Sequence, residues 1–144
     1  MFDLESYWRA AGHHGWPSMM LCLFTGDGLP DYCAAMPRDP LPATGFPLGE
    51  DFLQVYAQAI AKNTAIHDGA IMVGRRDESE LYRLEGWSYR LFPPDAVKTN
   101  GMNRGSAFNS CLAMSKVAKV DATYLVSGGR LVRFISGDVK HIEL

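Results

Sequence analysis

Hydrophobic positions recur along this chain at two spacings, one near helical and one strand-like. Leu4, Tyr7, Trp8 and Ala11 fall three, four and seven residues apart, so they share one face of a helix over residues 4–12, with Asp3 placed to cap it. Gly12 and Gly15-Trp16-Pro17 then break that helix. The run Ser18 to Thr25 is almost wholly apolar and bounded by turn residues, which predicts a strand buried on both faces. Gly26-Asp27-Gly28 forms a turn. Residues 29–49 carry Pro30, Pro37, Pro40, Pro42 and Pro47 and read as a connecting loop.

The helical spacing returns with Phe52, Val55, Tyr56, Ala59 and Ile60, where Glu50 and Asp51 complement the positive end of the helix dipole. This helix stops near Lys62-Asn63, a place where Asn tolerates the left-handed conformation. Ala70 to Val73 predicts a short buried strand, and Asp77 to Glu80 a polar turn. Leu81 to Tyr89 follows as an antiparallel partner, ended by Pro93-Pro94, because proline cannot donate to a ladder. A third helix is expected from Ser106 to Ala118. Two β-rich runs, Ala122–Val126 and Leu131–Ile135, flank Ser127-Gly128-Gly129-Arg130, a hairpin signal. The order α-β-loop-α-β-β-α-β-β predicts an α/β fold with a mixed β-sheet flanked by helices, and no internal repeat or linker divides residues 1–144.

Composition changes this picture little. The chain has 144 residues, 47% hydrophobic and 21% charged, which suits one globular domain. A formal net charge of -2 gives no electrostatic footprint for a nucleic-acid polymer or an anionic membrane. Cys22, Cys33 and Cys111 form no pair at ligand spacing, and an odd, scattered set fits a reducing compartment. With no basic region followed by an apolar core at the start, and no apolar run long enough to span a bilayer, a cytoplasmic location is expected.

Two stretches could carry chemistry. In Asn63-Thr64-Ala65-Ile66-His67-Asp68-Gly69-Ala70, a carboxylate at the mouth of a strand can hold a divalent cation or accept from a ribose hydroxyl, and the Gly lets a ligand approach the backbone. The same residues also make an ordinary turn, with Asp68 bonded to its own backbone. In Asn100-Gly101-Met102-Asn103-Arg104-Gly105-Ser106, glycines, an arginine and a hydroxyl open a helix, as at a phosphate site. Caps use the same residue types, so Asn103 or Ser106 could equally be a plain N-cap. His13-His14 lacks an acidic or Cys partner at metal-ligand spacing and reads as a surface pair. Trp87-Ser88-Tyr89 offers rings to stack on a base, although strand aromatics are more often core. Ser110 and Cys111 have no His at a familiar nucleophile spacing, and no Walker or dinucleotide fingerprint is present.

Together the two stretches resemble the diadenylate cyclase (DAC) family, whose domain makes cyclic di-AMP. That family carries Thr-x-Leu-His-Asp-Gly-Ala between a helix and a strand, matched here by Thr64, Ile66, His67, Asp68, Gly69 and Ala70. About thirty residues on, its Gly-Thr-Arg-His-Arg-Ala-Ala corresponds to Gly101 through Ala107, and its Asp-Ala strand ending in Ser-Glu-Glu to Asp121 through Ser127-Gly128-Gly129. The resemblance covers residues 46–137 and implies a single DAC-like domain. It further implies a nucleotide site at Asp68, Gly69, Ala70, Gly101, Asn103, Arg104, Gly105 and Ser106, with the Trp87–Phe92 segment bordering the base. Asp68 would be the metal-binding and catalytic carboxylate, with Mg or Mn carried in by a bound nucleotide.

The departures bear on activity. The family's Arg-His-Arg positions hold Asn103, Arg104 and Gly105, and the Glu associated with its metal site is Gly128. Phosphoryl transfer depends on positioning and charge stabilisation, so these losses predict a domain that binds or senses a nucleotide, or a nucleotide-derived small molecule, without cyclising it. An active cyclase with two subunits face to face, each presenting one ATP, is the alternative; a scaffold that binds no nucleotide is the other. A homodimer or larger oligomer is an implication of the family alone.

Overall fold

A computed structural model of the chain describes residues 3–11, 18–94 and 105–143. The expected α/β fold holds. Three helices, α1 (Leu4–Ala11), α2 (Phe52–Lys62) and α3 (Ser106–Met114), pack on a seven-stranded sheet. Its strands are β1 (Met19–Thr25), β2 (Cys33–Ala35), β3 (Ala70–Arg75), β4 (Arg83–Leu91), β5 (Val120–Ser127), β6 (Arg130–Ile135) and β7 (Asp138–Glu143). They lie in the order β2-β4-β3-β1-β5-β6-β7. Among the described residues only β1 and β3 run parallel; the other neighbouring pairs are antiparallel.

Alternation along the central strands separates two cores. Leu21 and Leu23 of β1, Ile71 and Val73 of β3 and Tyr124 and Val126 of β5 face α1 and α2, where Trp8, Phe52, Tyr56 and Ile66 close the layer. Cys22, Phe24, Ala70 and Met72 point to the other face, against Met114 of α3. Further along that face Cys111 meets Leu125, Val132 and Phe134, and Ala107 and Phe108 pack alongside. Strand β1, at the centre of the sheet, is therefore apolar on both sides.

The expected elements recur with shifted ends. Asp3 caps α1, its Oδ1 accepting from the backbone N–H of Glu5 and Ser6. Helix α3 stops at Met114, short of Ala118, and β4 begins at Arg83 and runs on to Leu91. Asn63 is extended (φ -153°), not left-handed; its Oδ1 accepts from Ala65 N–H and starts a 3-10 turn over Thr64–His67. Strand β2 lies within the stretch expected to be loop, and β7 extends the sheet beyond the expected hairpin. That hairpin closes on Gly128 (φ 58°) and Gly129 (φ 78°), two consecutive left-handed residues as a two-residue turn requires. Among the described residues, no helix is long and apolar enough to cross a membrane.

Candidate functional site

The Asp68–Gly69–Ala70 turn sits where the 3-10 turn enters β3. Ala70 is fully buried and pairs with Met20 of β1 on one side and Tyr89 of β4 on the other. Gly69 has φ +84°, and a Cβ there would lie 2.6 Å from Met36 Cε and 2.7 Å from the Tyr89 carbonyl oxygen. Glycine is thus required twice, by backbone conformation and by space. The crowding comes from Met36-Pro37-Arg38, a strap that leaves β2 and crosses the turn. Met36 N–H donates to Ser88 O (3.0 Å), and Asn63 Nδ2 donates to Pro40 O (3.1 Å).

One side chain joins strap, turn and β4. Ser88 is fully buried with φ 61°, at a register irregularity in β4. Its hydroxyl donates to Asp68 O (2.8 Å) and accepts from Arg38 Nε (2.9 Å). The Asp68 carboxylate itself stands outward, 60% exposed, between two basic groups: Arg38 Nη2 is 3.8 Å from Oδ2, and His67 Nε2 is 3.2 Å from Oδ1. His67 Nδ1 lies 2.6 Å from Thr64 O and its Nε2 faces Asp68 Oδ1, so both ring nitrogens stand beside oxygen acceptors. Asp68 is therefore turned toward other side chains and not toward its own backbone.

The other expected residues divide into two groups. Gly105 is the N-cap of α3 and makes no side-chain cap bond; Ser106 begins the helix and is exposed. Met20, the pairing partner of Ala70, packs against the cores beneath both ends of α3. Because Met114 sits over Cys22 and Phe24 while Ala107 and Phe108 sit with Leu125 and Phe134, the start of α3 and the Asp68 turn share a face and an end of the sheet. Ser127 reaches that end too, its hydroxyl 3.5 Å from that of Ser18. Gly101, Asn103, Arg104 and His13-His14 lie outside the described residues.

Trp87 and Tyr89 go to opposite faces of β4. Trp87 is buried beneath α2, stacked on Tyr56 with ring centroids 6.2 Å apart, and donates from Nε1 to Ala43 O. It is core and has no free face for a base. Tyr89 is half-buried on the α3 side beside Cys33 and Leu91, and Phe92 is exposed. Cys111 is fully buried, and burial pushes its thiol up to about 12, which suits a core residue.

Sequence reading missed Arg38, Met36 and the β2 pairing that brings them here. No local signal marks them, since their position follows from Ala35 pairing with Tyr89, more than fifty residues away. No group of three His, Cys, Asp or Glu side chains suited to a metal occurs among the described residues. Among the described residues this corner offers a single carboxylate, already faced by a guanidinium, which does not by itself supply the several oxygen ligands that Mg takes.

Two hollows open at the opposite end of the sheet, beyond the carboxyl ends of β1 and β3. One of about 520 Å3 is lined by Phe24, Gly26, Arg75 and Arg83, and one of about 470 Å3 by Leu23, Leu81, Tyr82 and Asp121. Between them the polar groups satisfy one another. Thr25 and Tyr82 hydroxyls both donate to Asp121 Oδ2 (2.5 and 2.6 Å). Arg75 donates from Nε to Thr25 and lies 4.3 Å above the Tyr82 ring. This is a fastening of three strand ends.

No family model and no curated protein matches the sequence. Solved structures do match in shape. A hypothetical membrane spanning protein from Bacillus cereus aligns with TM-score 0.60 and 16% identity, over 88% of this chain and 55% of that one. DacA from Staphylococcus aureus, as a double mutant, aligns with TM-score 0.55 and 18% identity, over 87% of this chain and 74% of that one. At these identities the likeness is one of fold: a mixed α/β domain similar to the DAC domain. The chain spans little more than half the length of the Bacillus cereus protein.

Proposed function

We propose that this domain binds a nucleotide, or a nucleotide-derived small molecule, at the Asp68–Gly69–Ala70 turn and does not cyclise it. The observation that carries this reading is that the turn lies on the same face and at the same end of a DAC-like sheet as the start of α3, with the end of β5 at that end too. Backbone N–H groups at the helix start and Arg104 in the preceding segment supply phosphate contacts in this reading. Tyr89, rather than Trp87, is the ring available to a base, because it alone of the two faces the α3 side.

Loss of cyclisation follows from side chains that are missing. Position 105 is a glycine N-cap, and position 128 is a glycine at φ 58°, so neither brings charge to a transferring phosphoryl group. Stabilisation of that charge is the main contribution a protein makes to such a reaction. A sensing role needs a partner or self-association to transmit occupancy, and a soluble pool of nucleotide to sense.

The test is a thermal-shift and calorimetric screen against ATP, GTP, cyclic dinucleotides and nucleotide sugars, paired with chromatography after incubation with ATP and Mg²⁺ or Mn²⁺. The expected result is stabilisation by at least one nucleotide, weakened in Arg104→Ala, with no cyclic product. Cyclic di-AMP formed by the wild type and lost in Asp68→Asn would establish the cyclase instead. A flat screen at millimolar ligand would leave a scaffold.

A further inference from the structure

Arg38 brings a permanent positive charge to the described part of the site. Its side chain is 18% exposed, and three of the four partners of its guanidinium are neutral. Nε donates to a neutral hydroxyl, Ser88 Oγ, at 2.9 Å, and Nη1 to the neighbouring Pro37 carbonyl at 3.1 Å. Nη2 donates weakly to a thioether, Met36 Sδ, at 3.8 Å and forms a long ion pair with the Asp68 carboxylate at 3.8 Å. A guanidinium carries five N–H donors and cannot shed its charge, and the weak, long pairing at Nη2 leaves that end able to take an oxyanion in place of water. The residue is also held in place. Ser88 fixes Nε, the strap is bonded to β4 and to Asn63, and Met36 packs on Gly69, so little rotamer freedom remains to be lost on binding.

The charges around Asp68 point the same way. In a site built for a divalent cation, the metal stands between carboxylate and phosphate and cancels their repulsion. Here Arg38 and, when protonated, His67 flank the single carboxylate. The turn is therefore neutral or positive without any metal. We infer that Arg38 is a phosphate-binding residue and that this corner holds a phosphate or polyphosphate group without a divalent cation. This deepens the nucleotide reading by naming the contact to the ligand's phosphates, and it rests on the Asp68 turn being the ligand site. Arg38 takes the bridging place a cation would hold, with Asp68 on one side of the guanidinium and the phosphate on the other.

Calorimetric titration with inorganic triphosphate and with ATP, both in excess chelator, tests it on wild type, Arg38→Gln and Arg38→Lys. Wild type is expected to bind triphosphate in chelator, more weakly as salt rises. Arg38→Gln should weaken binding by about tenfold or more, the worth of a charge-assisted hydrogen bond. Arg38→Lys, which keeps the charge but not the fork, should fall between the two. Binding that appears only when Mg²⁺ is added overturns the inference, as does no triphosphate binding at millimolar concentration. Equal losses in both variants with equally lowered unfolding midpoints would assign Arg38 to packing and overturn it too. The two readings fail separately. ATP binding unchanged in Arg38→Gln removes the Arg38 role and leaves the nucleotide site. Arg38-dependent binding with no preference for ATP over triphosphate keeps the role and removes the nucleotide.

Discussion

Replacing Gly69 with alanine is the sharpest structural probe of the candidate turn. Two independent terms act there. An L-residue at φ +84° gives up about 1–2 kcal/mol to its own backbone. The added Cβ would also lie 2.6 Å from Met36 Cε and 2.7 Å from the Tyr89 carbonyl. The methionine end can swing away, but the carbonyl belongs to Tyr89, paired in the sheet with both Ala35 and Ala70, and cannot, so an overpacking term of about 1–3 kcal/mol remains. Together these give a loss of roughly 3 kcal/mol and a fall in Tm of roughly 10 °C for a domain of this size. Gly128→Ala separates the terms, because Gly128 has φ +58° and nothing within 4 Å of a Cβ. It should lose only the backbone part, about 1 kcal/mol. Urea unfolding of both variants gives the comparison. If Gly69→Ala loses no more than Gly128→Ala, the strap does not press on the turn and the described corner is wrong.

Three further outcomes follow from other parts of the fold. Burial, and then the bond to Asp121, push the Tyr82 hydroxyl up to about 12, from an ordinary value near 10. The folded state thus holds this proton more tightly, and its contribution is complete below about pH 10 and lost as pH rises toward about 12. Thermal midpoints across that window should fall more steeply for wild type than for Tyr82→Phe; parallel curves would refute the assignment. Tyr56 is fully buried, and its hydroxyl has no hydrogen-bond partner among the described residues, so Tyr56→Phe should be neutral or stabilising by up to about 1 kcal/mol in urea unfolding. A clear loss would mean that the hydroxyl is bonded after all. Among the thiols, burial raises Cys22 and Cys111 strongly, whereas Cys33 is half-buried and raised less. A disulfide reagent should therefore titrate one thiol in the native protein and three after denaturation; fast native reaction of a second thiol would contradict the buried core.

How much of this was legible in the residues depended on whether each contact was local. The periodic faces of α1 and α2, the apolar run of β1 and the Gly-Gly hairpin all report on neighbours in sequence, and each emerged in place. Strand β2 is three residues long, mostly exposed and bounded by prolines, so its pairing with β4 leaves no periodic trace. Strand β7, Asp138-Val139-Lys140-His141-Ile142-Glu143, has one buried residue, as befits a charged outer edge, and resembles a polar tail. At the site, the motif at Asp68–Ala70 was readable because its turn is local. Arg38 and Ser88 were not, because a sheet register brings them there. Trp87 and Tyr89 looked equivalent as bases' partners; the backbone irregularity at Ser88 leaves one beneath α2 and the other toward α3.

If a nucleotide sits at the Asp68 turn, as proposed, backbone-amide chemical-shift mapping during an ATP titration will locate it. Shifts are expected on Ala65 to Ala70, on Ser88 to Leu91 and on the first turn of α3, while ATP itself stays intact. No shifts at millimolar ATP, or shifts confined to the far end of the sheet around Arg75 to Tyr82, would contradict this reading.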